Sequence, residues 1–289
     1  MRRLFRRLWR LLTAPFRLLA WPFRALRAFV NMEPEDSTAS DAFARTLENP
    51  AVLVSHLEDL RRHLFRGIAA LMVTTAISFA FARQILDWMA RPAGGIQALQ
   101  AIEVTESVGA FMKVSLLSGI VLAFPYLLFE AFAFINPGLK RRERILILTI
   151  IPFAFLLFLL GIAFTYYVLL PVALPFLIGF GGITTIPRPA SVLGFVTSVM
   201  LWIGIAFQFP LVIYALAAVG LVKSRTLLDG WRIAIVGMAI VSAVVTPTVD
   251  PVNMLLVMGP MIALYFISIG MAALAQRGRE RRLAREMIG

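Results

Sequence analysis

Two short runs of the chain set carboxylates against arginines. Residues 55–64 read SHLEDLRRHL, with Glu58 and Asp59 beside Arg61 and Arg62. Residues 134–144 read FINPGLKRRER, where Pro137-Gly138 stops a helix and Glu143 lies among Lys140, Arg141, Arg142 and Arg144. Such a carboxylate has two uses. It can be a solvated partner of its basic neighbours, or it can accept paired hydrogen bonds from a ligand's guanidinium. Glu130 and Gln208 are different, because both stand within apolar surroundings. A buried amide in lipid must find a partner or cost several kcal/mol. Catalysis is poorly supplied. With no cysteine there is no thiol nucleophile or thiolate metal site, and the only histidines are His56 and His63. No G-x-S-x-G elbow occurs and no apolar segment contains an Asp, which excludes intramembrane serine and aspartyl proteases. No cofactor or metal is implied.

The elements that must carry these residues are membrane spans. The hydrophobic set makes up 60% of the 289 residues and charged residues only 15%, against about 45–50% and about 25% in soluble domains. Six apolar stretches are bounded by polar or Pro/Gly punctuation: 64–81, 108–135, 145–170, 191–219, 233–246 and 252–274. A crossing takes about 20 apolar residues. The fifth stretch rises only about 21 Å at 1.5 Å per residue, so it reads as a short span or a buried segment. Pro125, Pro152, Pro210 and Pro260 fall inside spans and are expected to kink them into a concave bundle.

The net charge is +12, and its placement orients the chain. All 28 basic residues except Arg83, Arg91, Lys113 and Arg188 fall before the first span, just inside its start, in the loops after the second and fourth, or in the tail. The positive-inside bias then puts both termini in the cytoplasm. Basic residues in alternate loops, rather than in one groove with aromatics, exclude a nucleic-acid partner. Residues 1–31 carry Arg3, Arg10, Arg17 and Arg24 at intervals of seven, with Leu, Phe and Trp on the other faces. This is a basic amphipathic helix suited to lie on anionic lipid. Residues 32–54 read as an acidic flexible linker, 55–275 as the six-span domain, and 276–289 as a basic cytoplasmic tail.

In these motifs the chain resembles the receptor subunit of the twin-arginine translocase, the TatC family. His56, Leu57, Asp59, Leu60, Arg61 and Leu64 match its HL-x-[ED]-LR-x-x-L segment. Phe134, Pro137, Gly138, Leu139, Glu143 and Arg144 match its F-x-x-PGL-x-x-x-ER segment. Lys113 before Pro125, then Gly161, Phe164 and Pro171, Phe207-Gln208-Phe209-Pro210, and Thr246 to Pro251 around Asp250 follow in the family's order. The resemblance covers about 55–275.

It implies an all-α, six-span receptor in a bacterial cytoplasmic membrane that binds the twin-arginine signal peptides of folded precursors. Such a receptor recruits single-span TatA/TatB-type subunits for export driven by the proton-motive force, and works as an oligomer. It nominates Glu143 and Asp59 as signal-peptide carboxylates, with Glu58, Arg61, Arg144, Phe134 and Glu130 beside them. It places Gln208 against a partner's helix, where a bond within the bundle is the alternative. Asp250, with Pro251 behind it, is expected to cap the last helix. The rival reading is a six-span secondary transporter or channel for a small solute. Transporters favour ionisable residues at the midplane and two related halves. Here the midplane offers mainly Gln208, and the halves show no repeat.

Overall fold

A computed structural model of the chain describes residues 50–135, 141–182, 185–246 and 251–288. The amphipathic segment 1–31, most of the linker, and Pro137, Gly138 and Asp250 lie outside the described residues. Every regular element among the described residues is helical. Five stretches are long and apolar enough to cross a membrane: His56–Ala80, Val104–Phe134, Ile150–Ile178, Pro189–Ala218 and Pro251–Glu280. Trp231–Val245 is shorter.

Helix α1 spans Pro50–Ala80 and opens on a proline, which suits a first-turn position where no amide donor is needed. It starts well before the first expected span because nothing in SHLEDLRRHL breaks a helix, so that motif rides on the spanning helix itself. Helix α2, Ala82–Ala90, was not foreseen. It buries Ala82, Leu86, Met89 and Ala90 on one face, a pattern too short to register in a hydropathy scan. Helix α3 is Val104–Ile135 and α4 is Arg141–Phe164. Pro125, Pro152 and Pro260 sit inside helices that continue past them.

The third crossing runs further than the stretch ending at residue 170. The Leu170 N–H donates to the Thr165 carbonyl five residues back, making a π turn over Thr165–Leu169. The turn comes immediately before Pro171, whose ring would clash in a regular α-helix. Helix α5 then continues over Leu170–Ile178. The fourth crossing is two helices, α6 (Pro189–Ala206) and α7 (Phe209–Val219). Pro210 has no N–H for the Ala206 carbonyl, and the chain breaks at Phe207 and Gln208. Short α8 (Ser224–Asp229), α9 (Trp231–Val245) and α10 (Pro251–Ile288) complete the order. Thus α9 is the fifth stretch, and its 15 residues rise about 22 Å.

The described residues divide into two compact units, one drawn from 50–66 and 128–149, the other from 67–127 and 150–288. In the second, Leu193, Val196, Val199, Met200 and Ile203 of α6 form the centre of the core, packed by Leu86 and Met89, Val114 and Leu117, Leu170 and Leu174, and Val257. Ile213 and Ala217 of α7 pack on Ala272 and Ala275 of α10. Tyr166 stacks on Trp88 at 3.8 Å and donates its hydroxyl to the Trp88 carbonyl at 2.7 Å. Backbones approach closely at glycines. A methyl at Gly161 would meet the Gly204 Cα at 2.9 Å, and one at Gly119 would meet the Thr75 Cα at 2.7 Å. Large apolar side chains such as Met72, Leu116, Val236 and Ile240 are exposed, as a lipid-facing surface requires.

Candidate functional site

In the first unit, helical spacing builds a small constellation. His56, Asp59 and His63 recur at i, i+3 and i+7 on α1, while Glu130 and Phe134 are i and i+4 on α3. The His56 ring stacks on Phe134 at 4.4 Å, and His63 meets the same ring edge-on at 6.3 Å. His63 Nδ1 lies 2.5 Å from Glu130 Oε2. With Glu130 ionised the carboxylate can only accept, and the imidazole nitrogen donates. Glu130 is 5% exposed, so this bond is held where water contributes little. Both histidines of the chain are spent on these two residues.

Glu58 and Asp59 are exposed and share Arg62, which reaches Glu58 at 2.8 Å and Asp59 at 3.8 Å. Arg61 lies over the Phe65 ring at 5.5 Å. Arg62 stands i+4 and i+3 from the two acids, while Arg61 is i−4 from Phe65, so each takes the neighbour its helical position offers. An open groove of about 410 Å³ runs over Glu58, Arg61, Arg62, Phe65 and Arg66. Glu143 and Arg144 fall in the first turn of α4, and their side chains lie outside the described residues. Of the sequence-nominated residues, Glu130 and Phe134 are brought together. His63 was missed as a participant, although its i, i+7 relation to His56 is visible in the sequence.

In the second unit, Gln208 sits in the break between α6 and α7 and donates Nε2 to the Ala154 carbonyl at 2.9 Å. That is a bond within the bundle, to a backbone carbonyl. Arg188 donates Nε to Glu106 Oε1 at 2.7 Å and also reaches Glu103. The Glu106 side chain is 3% exposed. This ion cluster joins the start of α3 to the segment before α6, and it went unread because its members lie 82 and 85 residues apart.

The profile of the family described as TatC, Sec-independent protein translocase protein, matches residues 55–260. The Sec-independent protein translocase protein TatC of Synechocystis sp. is 34% identical over 220 residues, covering 75% of this chain and 86% of that one. The protein of the same description in Deinococcus radiodurans is 34% identical over 229 residues, covering 76% and 84%. A crystal structure titled Twin Arginine Translocase Receptor TatC aligns with a TM-score of 0.69 at 30% identity, covering 76% of this chain and 99% of that one. The family match over most of the chain, the identity to these relatives and the shared fold agree, and the chain is a member of the Sec-independent protein translocase TatC family.

Proposed function

We propose that the chain is the membrane receptor of a twin-arginine translocase, capturing the arginine pair of a precursor's signal peptide on its cytoplasmic face. The observation that carries this reading is the cluster on α1 and α3, where Glu130, Asp59, Phe134 and the two histidines lie within one unit at the start of a spanning helix. A buried carboxylate, Glu130, and an exposed one, Asp59, within one unit suit two adjacent guanidiniums, each able to make paired bonds. Glu143, at the start of α4 in the same unit, is a further carboxylate of this reading, and Glu58, Arg61 and Arg144 are further signal-peptide residues.

On this reading the protein lies in a bacterial cytoplasmic membrane with both termini in the cytoplasm, and residues 1–31 rest on anionic lipid. Its role is transport, not catalysis. Gln208 retains an amide oxygen with which to meet a single-span TatA/TatB-type partner, because only its nitrogen is engaged by Ala154. Oligomerisation and proton-motive-force-driven export follow the family pattern.

The test is site-specific photocrosslinking in membranes, with a probe at position 59 or 143 and a twin-arginine precursor as target. Crosslinks should form with the arginine pair and vanish when it is changed to lysines. Equal crosslinking of both precursors, or of neither, moves the function toward small-solute transport and returns Gln208 to the centre of the chemistry.

A further inference from the structure

The groove over Glu58, Arg61, Arg62, Phe65 and Arg66 lies apart from the cluster around Phe134. Its members stand at i, i+3, i+4, i+7 and i+8, so they share one face of α1. His56 and His63 point about 130–150° away from the middle of that face, at 3.6 residues per turn. Within the groove, Glu58 already pairs with Arg62 at 2.8 Å. Among the described residues, no carboxylate is within ion-pair reach of Arg61 or Arg66. Arg61 lies over Phe65, a ring that is itself 60% exposed. Helical side chains lean toward the N-terminus, which turns Arg66 back along the groove toward Arg62. The face thus offers two uncompensated guanidiniums and an open ring at the start of a crossing.

Acids to match them stand in the same chain. Residues 32–49 hold Glu33, Glu35, Asp36, Asp41 and Glu48 against the single Arg45, and they end directly before Pro50, where α1 begins. Glu33, Glu35 and Asp36 place three carboxylates within four residues. Arg61 and Arg66 stand about 17 and 24 Å along α1 from Pro50. The thirteen residues from 37 to 49 reach at most about 43–47 Å, enough to return to either arginine. A flexible chain of that length averages about 20 Å between its ends. That average matches the two distances, which is the condition under which a tether is most effective. Anionic lipid repels the same acids, so the bilayer surface does not compete for them.

We propose that residues 33–36 fold back onto α1 and set their carboxylates on Arg61 and Arg66, forming an intramolecular cover for this groove. Its effect is to keep the two arginines off lipid phosphate, so that the start of the first crossing is not drawn along the bilayer surface. The contact is independent of whether the cluster around Phe134 captures a peptide.

The test is photocrosslinking in the 289-residue protein, carried in phosphatidylcholine nanodiscs with Phe65→benzoylphenylalanine as the probe. Trypsin releases residues 28–45 as one peptide, because no Lys or Arg lies between Arg27 and Arg45. That peptide should be the main adduct, and light and heavy isotope-labelled protein mixed in one sample should show it within a single chain. Glu33→Gln/Glu35→Gln/Asp36→Asn should lower its yield about fivefold or more, the scale of two or three exposed ion pairs. Arg61→Glu/Arg66→Glu should do the same, and adding Glu33→Lys/Glu35→Lys/Asp36→Lys to that variant should restore most of the yield. In the parent, molar salt should lower the yield as well, which keeps the test open if a variant shifts the unfolding midpoint. In nanodiscs containing phosphatidylglycerol the adduct should persist. A lipid adduct in its place would make lipid the occupant and overturn the proposal. So would an adduct with residues 1–27 or with a second chain, or a yield indifferent to salt and to the charge changes.

Discussion

Replacing Gly119 with alanine should cost the protein far more than one methyl group suggests. The added carbon would lie 2.7 Å from the Thr75 Cα and 2.9 Å from its backbone nitrogen, and would overlap the Thr75 hydroxyl. Carbon atoms pack without strain at about 3.5–4.0 Å. A side chain can rotate away, but a backbone cannot, so α1 and α3 must separate by roughly 1 Å at this crossing. Overpacking of this kind costs about 1–3 kcal/mol. The separation also stretches the bond from Thr74 Oγ1 to the Gly119 carbonyl, now 2.9 Å, worth about 1 kcal/mol. Alanine's better helix propensity returns about 1 kcal/mol. The net loss is about 1–3 kcal/mol, or roughly 5- to 150-fold in the folding equilibrium. Gly109 supplies the control on the same helix. Nothing lies within 4 Å of a methyl there, so Gly109→Ala should be neutral or slightly stabilising. The assay is reversible unfolding in mixed micelles by titration with SDS. Equal midpoints for the two variants would refute the claim that this close approach constrains the fold. Thr75→Ala on the Gly119→Ala background should recover only part of the loss, since the backbone conflict remains.

Gly220→Ala adds two penalties at the end of α7. Its φ of 92° is left-handed, and the new carbon would collide with the Arg279 guanidinium, so a loss of about 1–2 kcal/mol is expected in the same titration. Arg188→Gln should destabilise more than the double variant Arg188→Gln/Glu106→Gln, because the single change leaves a buried carboxylate without its guanidinium; thermal unfolding at neutral pH measures the difference. Gln208→Leu should abolish co-purification with a single-span partner while arginine-pair crosslinking at position 59 persists. Loss of both would place Gln208 in the fold rather than at an interface.

How much of this the sequence revealed depends on the range of each signal. Apolar runs such as 108–135 declare themselves, because a bilayer demands about twenty like residues in a row. Pro210 foretold a change in its helix, and the structure makes it a break with Gln208 at the opening. The π turn escaped notice because Pro171 reads equally well as a helix end, and only the Leu170-to-Thr165 bond distinguishes the two. Helix α2 escaped because its nine residues mix Arg83 and Asp87 with Leu86 and Met89, and no hydropathy window resolves so short a face. In the candidate site, Glu130 and Phe134 were named, but the partner of Glu130 was not. Its pairing with His63 spans 67 residues and depends on which faces of α1 and α3 meet. Which arginine pairs with Glu58 and Asp59 was likewise not legible: adjacent arginines on a helix point about 100° apart, and the ion pairs seen are those of Arg62.

The glycine crossings also bear on how such a chain changes over evolutionary time. A bilayer requires only that Met72, Leu116, Val236 and Ile240 be apolar, so exchanges among Leu, Ile, Val, Met and Phe there are close to neutral. Drift can run freely over that surface for many generations. At Gly119, Gly161 and Gly204 a single-methyl step meets a neighbouring backbone or ring at under 3 Å, and selection acts on the first such step. A lineage built this way can diverge broadly in sequence while keeping its fold; this chain and a solved relative share the fold at 30% identity and a TM-score of 0.69.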